Sequence, residues 1–410
     1  MTPFLQLAIA LAVIIFAAKL GGYLSLRLGQ PSVLGELLVG VLLGPSVLDV
    51  FHVPYFTDEH LIEVIHQLAE LGVMFLMFIA GLDLHLEDLA KSGKVAAYVG
   101  FLGVFVPLAL GAGTGLLFGM PVSSAIFVGL ILAATSVSIS AQTLMELNVL
   151  RSRVGISLLG AAVFDDILVV LGLSIFIALS SPGAGGLASI ALIILRMILF
   201  LALGAVFGFI FLPRFSRKID NLPVSQGVIA FTVVVILLYG WMAEVLGKMA
   251  AITGAFLAGL SLSRSPVRER IEHGIATLAY GLFVPIFFIN VGLSANAREL
   301  GGEIFWLFVV MTITAIVGKV LGAGFGAEMN GFSRLESLQI GVGMMSRGEV
   351  GLIVASVGIS EALIEQSIFS AVVGVVIITT LLTPPLLRSL FVKSTVTSEA
   401  LLEEKSGEEA

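Results

Sequence analysis

Apolar runs of about 20 residues, the length a helix needs to cross about 30 Å of hydrocarbon, recur along the chain between short polar turns. They fall at 3–26, 31–51, 63–82, 95–118, 121–144, 154–180, 187–212, 224–247, 249–264, 275–294, 303–327, 335–359 and 366–391. This pattern predicts an all-α polytopic membrane protein of about 13 transmembrane helices. The ninth span is short, and the joints near 248 and 265 are the least sharply marked. Residues 3–28 are too long for a signal-peptide core and end without a small-residue cleavage site, so they read as a retained first helix. Residues 392–410 are acidic and read as a short disordered cytoplasmic tail. No soluble domain fits between the spans.

Lysine and arginine orient the spans. One side carries Arg27, Lys91, Lys94, Arg151, Arg153, Arg214, Arg217, Lys218, Arg264, Arg268, Arg270, Arg334, Arg388, Lys393 and Lys405; the other carries Lys248 and Arg298. The N-terminus is therefore expected outside and the C-terminus in the cytoplasm, as an odd number of spans requires.

Composition sharpens this picture. The chain is 58% hydrophobic and 12% charged, against about 25% charged in soluble domains, and its mean hydropathy is +1.11. A globular enzyme is excluded. The net charge of −7 gathers in loops and tail and supports no nucleic-acid partner. The absence of cysteine removes disulfides, thiolate catalysis and cysteine–zinc sites. His52, His60, His66, His85 and His273 lack metal-ligand spacing and read as solvated residues in or near loops. No cofactor is expected.

Against this apolar background the charges at membrane depth stand out. Asp165 and Asp166 lie side by side inside the 154–180 run. One Asp at the centre of such a helix costs about 3 kcal/mol on insertion scales, so two mark an ion or proton pathway. They point about 100° apart, so one can face a buried cation while the other lines an aqueous cavity. Lys319, between Gly318 and Gly322, is the candidate cation. A buried lysine beside a carboxylate holds its proton and can release it when the carboxylate engages a metal ion. Glu36 and Glu70 are further acids at membrane depth, Glu70 near a possible entry path.

Two spans carry weak points. Ala134-Thr135-Ser136-Val137-Ser138-Ile139-Ser140 is polar at mid-span, and the 335–359 span contains Gly341, Gly343, Gly348 and Gly351 around Arg347 and Glu349. Arg347 and Glu349 are expected to satisfy one another or nearby helix ends. Gly35–Gly40 echoes Gly254–Gly259, and Phe78–Leu82 echoes Phe288–Leu293, each seven spans apart. Six spans, a linker and six more place the second set upside down, an inverted repeat with two crossed, unwound helices at the midplane.

At this point the chain resembles the monovalent cation:proton antiporter-2 family, that is, NapA-type sodium/proton antiporters and the membrane part of Kef-type transporters. The carrying stretches are Gln30–Glu36 with Gly44-Pro45, Glu70–Val73, Phe164-Asp165-Asp166, Gly254–Gly259, Pro285–Phe288 and Arg347–Val350. The resemblance implies a homodimer in the plasma membrane of a bacterium or archaeon. Within 1–391 it implies a dimerisation part (about 1–94 and 224–294), a moving core (about 95–180 and 303–391) and a linker helix (187–212). It implies that Asp166 binds Na⁺, that Asp165 pairs with Lys319, and that Thr135 and Ser136 sit in the unwound crossing. Adjacent aspartates are typical of electrogenic members that exchange two protons per sodium ion. Kef-type proteins append a nucleotide-binding domain, which this chain lacks.

The expected function is electrogenic Na⁺(Li⁺)/H⁺ antiport by alternating access, protons and cation competing at the two aspartates. The alternative is K⁺/H⁺ antiport or a Kef-like potassium efflux pathway. An intramembrane aspartyl protease needs two carboxylates on facing helices sharing a proton; here both acids are on one helix. A passive channel or a sensor is separated from an exchanger by flux without a proton gradient.

Overall fold

In a computed structural model, the backbone is described for residues 1–84, 86–180, 186–293, 303–360 and 363–408. Side chains are described for these residues except 86–91, 174, 177–180, 186–190, 303, 349, 353, 356, 360, 366 and 393–408. The described residues form helices and turns, with no strand among them.

The helices are α1 (Pro3–Arg27), α2 (Ser32–Leu43), α3 (Leu61–Asp83), α4 (Leu86–Leu117), α5 (Val122–Ala133), α6 (Val137–Glu146), α7 (Arg153–Ser180) and α8 (Gly186–Asp220). They continue with α9 (Gly227–Val245), α10 (Ala251–Leu262), α11 (Arg268–Leu278), α12 (Val284–Leu293), α13 (Glu303–Glu328), α14 (Arg334–Gly343), α15 (Glu349–Ser360) and α16 (Gln366–Glu408). Among the described residues, 10 helical segments are long and apolar enough to cross a membrane; Ser32–Leu43, Ala251–Leu262 and Val350–Ile359 are shorter apolar helices. The protein is thus a multi-pass, all-helical membrane protein.

Local chemistry sets several boundaries. Thr2 caps α1, its hydroxyl accepting from Leu5 N at 3.4 Å, with Pro3 at the first helical position. Ser333 and Glu336 form a reciprocal capping box at the start of α14. Pro285 lacks the amide that would bond the carbonyl four residues back, and the turn before it, Ala279–Phe283, widens into a π-helix joining α11 to α12.

Glycine governs how closely the helices approach. Gly259 of α10 lies against the Phe78 carbonyl of α3, and Gly81 of α3 against the Phe256 carbonyl of α10. Gly40 and Gly292 do the same for α2 and α12. Without a hydrophobic drive between helices in lipid, such backbone contact is the main source of packing energy. A second packing group is built on α4, which lies along α13, α5 and α7, with α16 against α13 and α14.

The backbone of residues 392–408 continues α16; Ser398–Lys405 is rich in Ala, Leu, Glu and Lys, strong helix formers. One expectation is corrected here. His66 and His273 lie within α3 and α11 rather than in loops. His85 and Arg298 lie outside the described residues.

Candidate functional site

Helix α7 starts at Arg153, so Asp165 and Asp166 lie about 18–20 Å along its axis, roughly midway through a bilayer. The two acids meet different partners. Asp165 and Lys319 of α13 are both 0% exposed and form an ion pair. Gly318 sits on Pro107 and Gly322 on the Leu102 carbonyl of α4, drawing α13 close enough to seat the lysine, and Gly103 leaves room beside its ammonium. The other Asp165 oxygen, Oδ2, accepts no hydrogen bond. The Thr135 hydroxyl, buried beside it, makes no hydrogen bond of ordinary geometry.

Thr135 belongs to a break between α5 and α6. Ala134 is extended at φ −60°, ψ 138°, and Ser136 at φ −104°, ψ 114°. A second break separates α14 from α15 at Met344–Gly348. The two breaks bond to one another. Ser136 N donates to Ser346 O at 3.0 Å, and the Ser346 hydroxyl donates to Ser136 O at 2.5 Å. The Ser140 hydroxyl donates to Gly343 O at 2.5 Å. Gly348 stands against the Ser136 side chain, where a Cβ would lie 2.5 Å away.

Arg347 emerges from the second break, 1% exposed. Its guanidinium donates to Ala315 O, in the middle of α13, at 3.0 Å and to Met344 O, at the second break, at 3.4 Å. Thr379 and Thr380 of α16 hold its backbone at 3.2 and 2.6 Å. Two buried carboxylates and two buried cations therefore share the centre of the molecule. The side chain of Glu349 lies outside the described residues.

Asp166, 8% exposed, reaches α10, where the Thr253 hydroxyl donates to its Oδ2 at 3.3 Å. Both line a narrow crevice between α6, α7, α3 and α10, closed otherwise by Met77, Val137, Leu159, Ala162, Val163, Ile252 and Phe256. Its free volume, about 10 Å³, is near the minimum for one water.

The two ends of this interface differ. At the end where α7 begins, Glu146 of α6 accepts from Ser32 N of α2 at 2.8 Å and from the Ser32 hydroxyl. There Asp83 of α3 accepts from Arg151 at 2.7 Å and Arg268 at 3.2 Å. Residues 72–82 of α3 and 154–162 of α7 are buried throughout. Toward the other end, α3 exposes Ile62, Glu63, His66, Gln67 and Glu70. Glu70 is 66% exposed and pairs with His66 at 3.6 Å, and His66 contacts Asn290 at 3.1 Å. Glu70 is thus exposed and does not line the crevice that holds Asp166. Glu36 is buried between α1 and α2, 3.9 Å from Lys19.

The structure brings Asp165, Asp166, Thr135, Ser136, Lys319 and Arg347 into one neighbourhood. Sequence reasoning missed Thr253 and the Asp83 and Glu146 contacts. A lone threonine beside a Gly-x-x-x-x-Gly stretch has the look of packing, and loop charges carry no period that names a partner.

Comparison with known proteins agrees with this architecture. The profile of the family described as sodium/hydrogen exchanger, transmembrane, matches residues 12–393. The Na⁺/H⁺-K⁺ antiporter GerN of Bacillus cereus is 40% identical over 381 residues, 93% of this chain and 95% of that protein. A Na⁺/H⁺ antiporter of Enterococcus hirae is 36% identical over 384 residues, 92% and 96% of the two chains. Among solved structures, the sodium proton antiporter MjNhaP1 of Methanocaldococcus jannaschii superposes with a TM-score of 0.67, 17% identity and coverage of 98% and 99%; this likeness concerns the fold.

Proposed function

The chain belongs to the transmembrane sodium/hydrogen exchanger family, and on that premise we propose that it is an electrogenic Na⁺(Li⁺)/H⁺ antiporter working by alternating access. The observation that carries this reading is the division of labour between neighbouring acids: Asp165 is neutralised by Lys319, whereas Asp166 faces a crevice. A carboxylate facing a crevice at membrane depth is a place where Na⁺ and H⁺ exclude one another. When Asp165 is also drawn toward the cation, Lys319 loses its counter-charge and releases its proton. Exchanging two protons for one sodium ion moves one net charge.

The moving core comprises α4–α7 and α13–α16, and the scaffold α1–α3 and α9–α12, with α8 as linker. The inverted repeat is supported by mirrored packing: α1 on α2 parallels α9 on α10, and α2 on α12 parallels α10 on α3. The breaks at 134–136 and 344–348 are the crossed, unwound pair of that plan. Their free carbonyls and hydroxyls, with Thr135 and Ser136 foremost, supply further oxygen ligands. With the N-terminus outside, the end sealed by Glu146 and Asp83 is cytoplasmic, and the site opens outward past Glu70. The protein acts as a homodimer in the plasma membrane of its cell.

The test is proton flux in proteoliposomes under an imposed pH gradient. Na⁺ or Li⁺ should collapse the gradient, faster when valinomycin clamps the potential, and Asp166→Asn should abolish the response. Wild-type rates in Asp166→Asn would sink the assignment. K⁺/H⁺ exchange is the second reading, favoured by the name of the 40% identical relative, which includes K⁺; a response to K⁺ alone would select it.

A further inference from the structure

Apart from Asp166, every residue lining the crevice has an apolar side chain except Thr253. This threonine lies on α10, and it donates to Asp166 Oδ2. Its placement is fixed by backbone packing: the adjacent Gly254 lies against the Tyr239 carbonyl of α9, and Gly259 against the Phe78 carbonyl of α3. A cation reaching Asp166 in this conformation therefore meets one further side-chain oxygen on a rigid wall that does not belong to the aspartate's own packing group.

We propose that Thr253 is an ion ligand supplied across the interface, which completes the Asp166 site in this conformation and favours Na⁺ over K⁺. This rests on the antiporter reading above. The distance fits the role. Oxygens 3.3 Å apart match two ligands at nearly a right angle around an ion with bonds of about 2.4 Å, within the range in which hard cations hold oxygen. A larger alkali ion, with longer bonds, is attracted less by each oxygen and gains less from this ligand. The hydroxyl also suits both states of the site, donating to the empty carboxylate and turning a lone pair to the metal when one arrives. Because Thr253 stays with the scaffold while Asp166 moves with the core, the ligand is lost when the two slide, and cation affinity falls on the opposite side.

The experiment compares Thr253→Val, which keeps the shape and removes the oxygen, with Thr253→Ser, which keeps the oxygen. Both are measured with Asp166→Asn in proteoliposomes, with Na⁺, Li⁺ and K⁺ as driving ions. Loss of one neutral oxygen contact should raise the Na⁺ KM of Thr253→Val about three- to tenfold with maximal rate within about twofold. Na⁺ preference over K⁺ should fall, and Thr253→Ser should stay near wild type. The Na⁺ concentration that half-saturates thermal stabilisation of the purified protein should shift by the same factor, a readout independent of transport. An unchanged Na⁺ KM in Thr253→Val, or equal impairment in Thr253→Ser, would overturn the proposal. An inactive Asp166→Asn beside a normal Thr253→Val refutes this inference alone; an active Asp166→Asn refutes the antiporter site and this inference with it.

Discussion

Replacing Lys319 by methionine isolates the buried ion pair. The two side chains are of similar length, and Lys319 and Asp165 are both 0% exposed, so the change deletes the charge while nearly preserving packing. Breaking such a pair from one side costs about 3–5 kcal/mol, because the remaining charge is stranded. The stranded Asp165 has an escape: it can be carried neutral. Protonating a carboxylate of ordinary pKa near 3.9 costs about 5 kcal/mol at pH 7.5 and about 1.5 kcal/mol at pH 5. The variant's deficit is therefore bounded near 5 kcal/mol at pH 7.5 and shrinks by about 1.4 kcal/mol per pH unit on acidification, since its folding takes up one proton. Thermal unfolding in lipid nanodiscs at the two pH values reads the difference directly. Lys319→Met should melt well below wild type at pH 7.5 and approach it at pH 5. The double variant Lys319→Met with Asp165→Asn should recover most of the loss at both, because a removed pair leaves no stranded charge. A deficit independent of pH, or none, would refute the buried-pair account.

Two further outcomes follow from the packing. Gly259→Ala places a methyl on the Phe78 carbonyl, an overpacking expected to cost about 1–3 kcal/mol; lower yield of monodisperse protein and a lower melting point check it, and unchanged behaviour would contradict the close α3–α10 contact. Since the chain has no cysteine, a single Val163→Cys can report on the crevice without background. Adding Asp83→Ala and Glu146→Ala should raise its labelling from the side of those contacts several-fold, because hydrogen bonds to charged groups contribute about 1.5–3 kcal/mol where shielded and ion pairs less where exposed. Unchanged labelling would mean these contacts do not hold the seam shut.

Much of this organisation is legible before folding is considered, for identifiable reasons. Apolar run length is dictated by bilayer thickness, so most helices can be read directly. Asp165, Asp166 and Lys319 are conspicuous because charge is costly in hydrocarbon, and the breaks at 134–136 and 344–348 are foreshadowed by hydroxyl and glycine content that weakens a helix. Contacts between distant elements are another matter. Thr253 meets Asp166 across 87 positions of sequence, and Glu146 reaches Ser32 across 114; no local pattern encodes either. The π-turn at Ala279–Phe283 is invisible because Pro285 reads equally well as a kink.

The central claim is that sodium and protons compete for Asp166, and charge movement on a solid-supported membrane after Na⁺ concentration jumps tests it most directly. The account predicts a Na⁺ KM that rises steeply as pH falls, to about a hundredfold per unit on the acidic side where binding one ion displaces two protons, by mass action, with a constant maximal current. A KM that stays fixed while the maximal current falls would show that protons act elsewhere, and would contradict it.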